Sequence, residues 1–246
     1  MSPAETIARL RQDLLPLQGF RPMTNGQSPV PGLGAINRAF PNGRFPLGTI
    51  HEFLSHGPEN AAASSGFITG MVSALMQSGG AAVWISPSRL VFPPALQWFG
   101  ITPDRVIFLE LPKEKDRLWA TEEALSCSAL SAVVAEIPGI NFTQSRRLQL
   151  AVEQSQVTGF ILRKDLRQPQ TTACMARWQV TPLPSEVEEA LPGIGFPRWE
   201  VELLKAKNGK PGIWELAWAE GRFRQMENPQ RRQLIPMVGE RKQKTG

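Results

Sequence analysis

The chain has 246 residues, 41% of them apolar and 20% charged, and a net charge of +5; most of it should fold around one sizeable core, which excludes a wholly disordered polymer. No apolar run reaches the roughly 18 residues that a membrane span needs, and the N-terminus lacks the cationic-then-apolar order of a secretory signal, so a cytoplasmic protein with no membrane partner is expected. Two cysteines (Cys127, Cys174) and two histidines (His51, His56) are too few for a disulfide framework or a zinc site, and no metal centre is expected.

In chain order, Ser2-Pro3-Ala4-Glu5 reads as a helix start. Ser2 can cap, Pro3 fits the first turn and Glu5 completes a capping box. Ile7, Leu10, Leu14 and Leu17 then recur at helical spacing, and Gly19 and Pro22 end the pattern. The Pro-, Gly- and Asn-rich stretch 22–32 reads as a linker, so residues 1–27 form an amphipathic helix on an arm. Its apolar stripe either folds back on the same chain or docks on a partner or second subunit.

From residue 48 strands and helices alternate. Thr49–Leu54 reads as a strand, Gly66–Gln77 a helix, Ala81–Ile85 a strand and Pro94–Phe99 a short helix. Arg105–Leu109 (strand), Lys113–Cys127 (helix), Ser131–Glu136 (strand), Thr143–Gln156 (helix) and Gly159–Leu162 (strand) follow. Thr143 or Ser145 is expected near the cap of the last helix, with Leu148, Leu150 and Val152 facing inward or near it. The alternation implies right-handed crossovers and a mostly parallel α/β sheet with helices on both faces. Trp84, Trp98 and Trp119 are expected to pack in the core rather than stack on bases.

The pattern then changes. Ala173–Thr181, Arg198–Lys205 and Gly212–Ala219 are strand-like runs with no helix between them, and 205-KAKNGKPG-212 is a hairpin signal. They predict an antiparallel extension at the sheet edge, closing a core that spans 28–225. The tail 226–246 is basic. From residue 221 onward, Arg222, Arg224, Arg231, Arg232, Arg241, Lys242 and Lys244 face only Glu227 and Glu240, so the rest of the chain is neutral. Such a tail is either a solvated end or a set of phosphate contacts; for the latter, Arg222, Arg231, Arg232, Lys242 and Lys244 are the DNA-binding candidates. Leu234, Ile235, Met237 and Val238 lie between two of its basic clusters, the form of a short docking peptide.

The stretch 57-GPENAAASSGFITG-70, between a strand and a helix, has the small residues of a loop that wraps a phosphate. Such loops work by inward backbone N–H groups, a helix dipole, a lysine on the outer phosphates and a hydroxyl on magnesium. Gly66 stands at the second glycine, but the standard spacing back from it reaches Ala61. Phe67 replaces the lysine and Ile68 the hydroxyl residue, while Gly57-Pro58-Glu59 looks like the loop's usual opening, displaced by about four residues. Gly57, Ser64, Ser65, Gly66 and the acidic Glu136 are thus the candidates for a vestigial nucleotide site, with ATP binding disfavoured and backbone N–H groups able to hold an anion only weakly.

The ordered set Val30-Pro31-Gly32-Leu33, Ala39-Phe40-Pro41-Asn42-Gly43-Arg44-Phe45-Pro46-Leu47-Gly48-Thr49-Ile50-His51-Glu52-Phe53 and Gly57-Pro58-Glu59 resembles the opening of the RecA ATPase core. More closely it is similar to the ImuA proteins, RecA-like companions of error-prone translesion synthesis that are distantly similar to the SulA division inhibitors. The resemblance runs over about 28–224 and includes the closing hairpin 198–223. It implies a RecA-like fold and places the water-activating glutamate at Ser88, the acidic residue of the next motif strand at Glu136 and the γ-phosphate-sensing glutamine at Arg163. It also makes the counterparts of the DNA-binding loops short, 137–141 and about 164–172. A general base is missing, so no catalytic residue is named.

The resemblance therefore implies a non-catalytic scaffold or regulator in damage-induced (SOS) mutagenesis. Its partners would be a Y-family-polymerase-like protein of the ImuB type and RecA, with Ile7, Leu10, Leu14, Leu17, Leu234 and Ile235 as contact candidates and self-association through the same helix also open. The alternatives are an ATP-binding RecA-like NTPase of DNA repair and a SulA-like inhibitor of cell division.

Overall fold

A computed structural model describes residues 30–89, 91–164, 170–186 and 195–226. The expected N-terminal helix, with Ile7, Leu10, Leu14 and Leu17, lies outside these residues, as do Arg231, Arg232, Leu234, Ile235, Lys242 and Lys244 of the tail.

Among the described residues nine strands form one sheet: β1 Ile50–Ser55, β2 Ala81–Ser86, β3 Val106–Glu110, β4 Leu130–Glu136, β5 Thr158–Lys164, β6 Ala176–Glu186, β7 Phe196–Ala206, β8 Gly212–Ala219 and β9 Arg222–Gln225. Their order across the sheet is β3-β2-β4-β5-β1-β6-β7-β8-β9. Every pairing from β3 to β6 is parallel, and those from β6 to β9 are antiparallel. The change of pattern near residue 173 is therefore real, but its first strand, β6, still runs parallel to β1 and only then does the chain begin to fold back. β9 is a further strand beyond the three expected. Its hairpin turns on Glu220 (φ +52°) and Gly221 (φ +70°), two left-handed residues that match the twist of the strands but lack the usual Asn-Gly signature.

The helices are α1 Gly34–Asn37, α2 Gly57–Leu75, α3 Glu114–Ser126 and α4 Phe142–Ser155. α2 lies on one face of the sheet, where Phe67, Ile68 and Met71 pack with Phe53, Trp178, Trp199 and Phe223. α3 and α4 lie on the other, where Leu125, Leu148 and Val152 pack with Ile50, Val133 and Ile161. All six residues of β1 are buried, His51, Glu52 and Ser55 among them, because helices and neighbouring strands cover both faces of a central strand.

Two local expectations are corrected and one is sharpened. The α4 cap near Thr143 and Ser145 is Asn141: its side chain accepts the Gln144 backbone N–H at 2.9 Å, and the Gln144 side chain returns the bond at 3.0 Å. Leu150 is exposed on α4, two positions from both Leu148 and Val152 and therefore on the opposite side of the helix. Trp84 is in the core, but Trp98 and Trp119 are 84% and 64% exposed, since the 3-10 turn at Pro93–Phe99 and the outer side of α3 leave both rings on the surface.

Candidate functional site

In parallel α/β sheets the ligand crevice opens at the carboxyl ends of the strands. At the end of β1 the chain passes through exposed His56 directly into α2. The whole stretch 57–70 expected as a phosphate loop thus lies within the 19-residue helix Gly57–Leu75. The local reasons are in the sequence: Pro58 suits the first turn, Glu59 complements the helix dipole and Ala61-Ala62-Ala63 are the strongest helix formers.

The vestigial candidates scatter accordingly. Gly57, at φ +75°, turns the chain from β1 into α2 and alone stays at the helix start. Ser64 is fully buried, its Oγ 3.0 Å from Ser55 Oγ. Ser65 Oγ donates back to the Ala61 carbonyl at 2.9 Å. Gly66 faces the Trp199 ring, where an added Cβ would lie 3.1 Å from the indole. One turn on, a Cβ at Gly70 would meet Phe223 at 2.7 Å and Trp218 at 2.9 Å. These two glycines let the helix approach aromatic rings closely rather than wrap an anion. Phe67 and Ile68 are fully buried, so the lysine and hydroxyl positions are core.

Glu136 ends β4, two strands from β1, and Lys164 Nζ donates to its Oε2 at 2.7 Å. A lysine from the neighbouring strand thus occupies the carboxylate. Ser88 is exposed beyond β2, and its carbonyl accepts from Ser86 Oγ at 2.8 Å. Arg163 lies on the opposite face from Lys164, 1% exposed. Arg222, on the edge strand β9, is exposed and pairs with Glu220 at 3.7 Å.

Two groups with organised chemistry escaped sequence reasoning. Glu52, fully buried in β1, is bonded through Oε1 by Arg163 Nη1 and through Oε2 by Arg177 Nε at 2.6 Å, with Thr172 Oγ1 at 3.2 Å. One carboxylate thus serves two guanidiniums and joins β1, β5 and β6. On the other face His51 is sandwiched with Phe45, ring centroids 4.5 Å apart. Its Nε2 lies 2.8 Å from the Pro46 carbonyl, and its Nδ1 lies 3.2 Å from Trp178 Nε1–H. Trp178 can only donate, so Nδ1 accepts and Nε2 carries the proton. Burial lowers the His51 pKa to about 4 against the smaller opposing effect of the Pro46 bond.

Beside Glu52, at the junction of α4, β6 and the end of β7, a cavity of about 360 Å³ is lined by Phe142, Arg146, Arg177, Lys205 and Lys207, with Cys174 at its side. Burial, with the Glu52 charge adding to it, pushes the Cys174 thiol up to about 12, so this cysteine stays a neutral thiol. The signal that could have found the cavity was the i,i+4 spacing of Phe142 and Arg146 on one helix face; the strand residues converge on it only through pairing.

No family model matches the chain. Among solved structures the chain is similar to the RadB recombinase, with a TM-score of 0.51 and 14% identity over 74% of this chain and 92% of that one. That likeness confirms the RecA-like fold. Protein ImuA of Caulobacter vibrioides, strain NA1000 / CB15N, is 34% identical over 207 residues, 78% of this chain and 85% of the relative. Protein ImuA of strain ATCC 19089 / CIP 103742 / CB 15 matches with the same identity and coverage. With a RecA-like sheet whose phosphate loop has become helix and a relative of that identity over most of its length, this chain belongs to the ImuA family.

Proposed function

We propose that the protein is a non-catalytic, RecA-like scaffold or regulator of damage-induced error-prone DNA synthesis, acting in the cytoplasm by contact with other macromolecules. Its partners in this reading are a Y-family-polymerase-like protein of the ImuB type and RecA. Family membership supports the process. The observation that carries the non-catalytic part is the unbroken helix Gly57–Leu75, with Phe67 and Ile68 fully buried. Converting that segment into a phosphate loop would pull two core side chains from the sheet. Glu136, already held by Lys164, adds that no free carboxylate is offered to magnesium at that strand end. Residues 1–27, which the sequence predicts to form an amphipathic helix and arm, and the tail, with Leu234 and Ile235, are the contact segments in this reading, and the tail cations reach DNA phosphates.

The test pairs two measurements on the full chain. Magnesium-dependent ATP hydrolysis is expected to be absent, with no difference between the chain and Glu136→Gln. Affinity capture from damaged cells is expected to bring down both the polymerase-like partner and RecA, and to lose them when residues 1–20 are removed. Turnover that requires Glu136, or capture of neither partner, overturns the reading.

A further inference from the structure

The charged lining of the cavity beside Glu52 is mostly cationic. Its lining brings one carboxylate, Glu52, together with Arg146, Arg177, Lys205 and Lys207. Glu52 is already shared between Arg177 and the buried Arg163, so it does not also balance Arg146 and Lys205. Arg177 and Lys205 are directly opposite each other in the β6–β7 register. Like charges at such a cross-strand position repel, and this pair stands at the cavity wall. Among the described residues Arg146 has a long, exposed pairing with Glu153, at 3.5 Å. The excess of positive charge faces an open space within the roughly 300–1,000 Å³ of small-ligand sites, large enough for one nucleotide unit.

The mouth adds a second feature. Phe142 opens α4 with 55% of its surface exposed, and Arg146 stands one turn above it on the same side of the helix. An uncovered aromatic face beside converging cations is the arrangement by which proteins hold single-stranded nucleic acid: cations on the phosphates and a base on the ring. Long Lys and Arg side chains reach phosphate from exposed stems without disturbing the fold, whereas Arg177 is fixed by its bond to Glu52 and gives the site its floor.

We infer that this cavity is a contact site for single-stranded nucleic acid, with Arg146, Lys205 and Lys207 on the phosphates and one base stacked on Phe142. It is distinct from the tail and does not depend on the assignment of protein partners.

The test is anisotropy of a labelled oligothymidylate with the full chain across a salt series. Arg146→Glu and Lys205→Glu are surface changes and should weaken binding about tenfold or more each, lowering the slope of log affinity on log salt by about 0.7 or more per lost contact. Phe142→Ala should cost about fivefold or more with the salt slope unchanged. Arg89→Glu, at the opposite β2–β3 edge of the sheet, should leave affinity within about twofold. Far-ultraviolet circular dichroism and urea midpoints, expected to match the parent, separate lost contacts from lost fold. Affinities of the three cavity variants within twofold of the parent overturn the site. Displacement of the oligonucleotide by millimolar pyrophosphate, with no gain in affinity from longer strands, overturns the strand and leaves a free polyphosphate as the occupant.

Discussion

His51 carries the clearest residue-scale consequence. In its neutral form both ring nitrogens are used, Nε2–H toward Pro46 and Nδ1 accepting from Trp178. Protonation would set a second N–H against the indole N–H inside a dry aromatic stack. The folded pKa of about 4 lies below the ordinary 6.5, so between these values the unfolded chain binds more protons and stability rises with pH. The stability is complete above about 6.5 and is lost as pH falls toward 4, by an amount on the order of 3 kcal/mol. Urea midpoints across this window should fall in the parent and fall less in His51→Gln; equal slopes would assign the loss to carboxylates. At the same scale, Phe67 and Ile68 were readable from the sequence as departures from a phosphate loop. That their side chains had become core was not, because an apolar residue in a loop and one in a helix look alike without the sheet against which they pack.

At the scale of elements, α4 shows what local sequence can set and where it misleads. Asn141 and Gln144 exchange side-chain-to-backbone bonds in a capping box, satisfying two donors that a bare helix start would leave open. Thr143 and Ser145 are also good cap residues, and spacing alone did not choose among them. Ser145 turns out to be buried, donating to the Phe142 carbonyl at 2.8 Å and accepting from Ala173 N–H at 2.9 Å, so it braces the segment that leads into β6. Asn141→Ala should lower stability by about 1 kcal/mol, read as a shift of the urea midpoint with unchanged slope. A loss below a few tenths would mean that the tertiary contacts of α4 hold its first turn without the cap. The strand pattern was legible from Thr49 to Leu162 because alternating β and α segments have different periods. β9 was not, since four residues after an unusual Glu-Gly turn carry too little pattern.

Across the whole molecule, Glu52 ties the parallel body to the strand that begins the extension. Its partners Arg163 and Arg177 are more than a hundred residues away in sequence, and Arg163 is 1% exposed. Removing the carboxylate leaves a buried guanidinium without its anion, so Glu52→Ala should cost about 3–5 kcal/mol in chemical denaturation. That is a large part of the 5–15 kcal/mol that holds a typical domain. Glu52→Gln, which keeps an acceptor, should cost less; equal losses would show that packing rather than charge is what Glu52 supplies. Among the described residues no helix is long and apolar enough to cross a membrane.

The sequence by itself determined the order of strands and helices, the switch to antiparallel strands and the absence of the lysine and hydroxyl that an ATP site requires, because periodicity and residue type are local. Only the tertiary structure decided that Phe67 and Ile68 are core, that Gly66 and Gly70 meet aromatic rings, and that Glu52, Arg163, Arg177, Phe142, Arg146 and Lys205 converge on one place. Those outcomes depend on pairing between strands far apart in the chain, and a residue's own neighbours in sequence contain no record of what will be laid beside it.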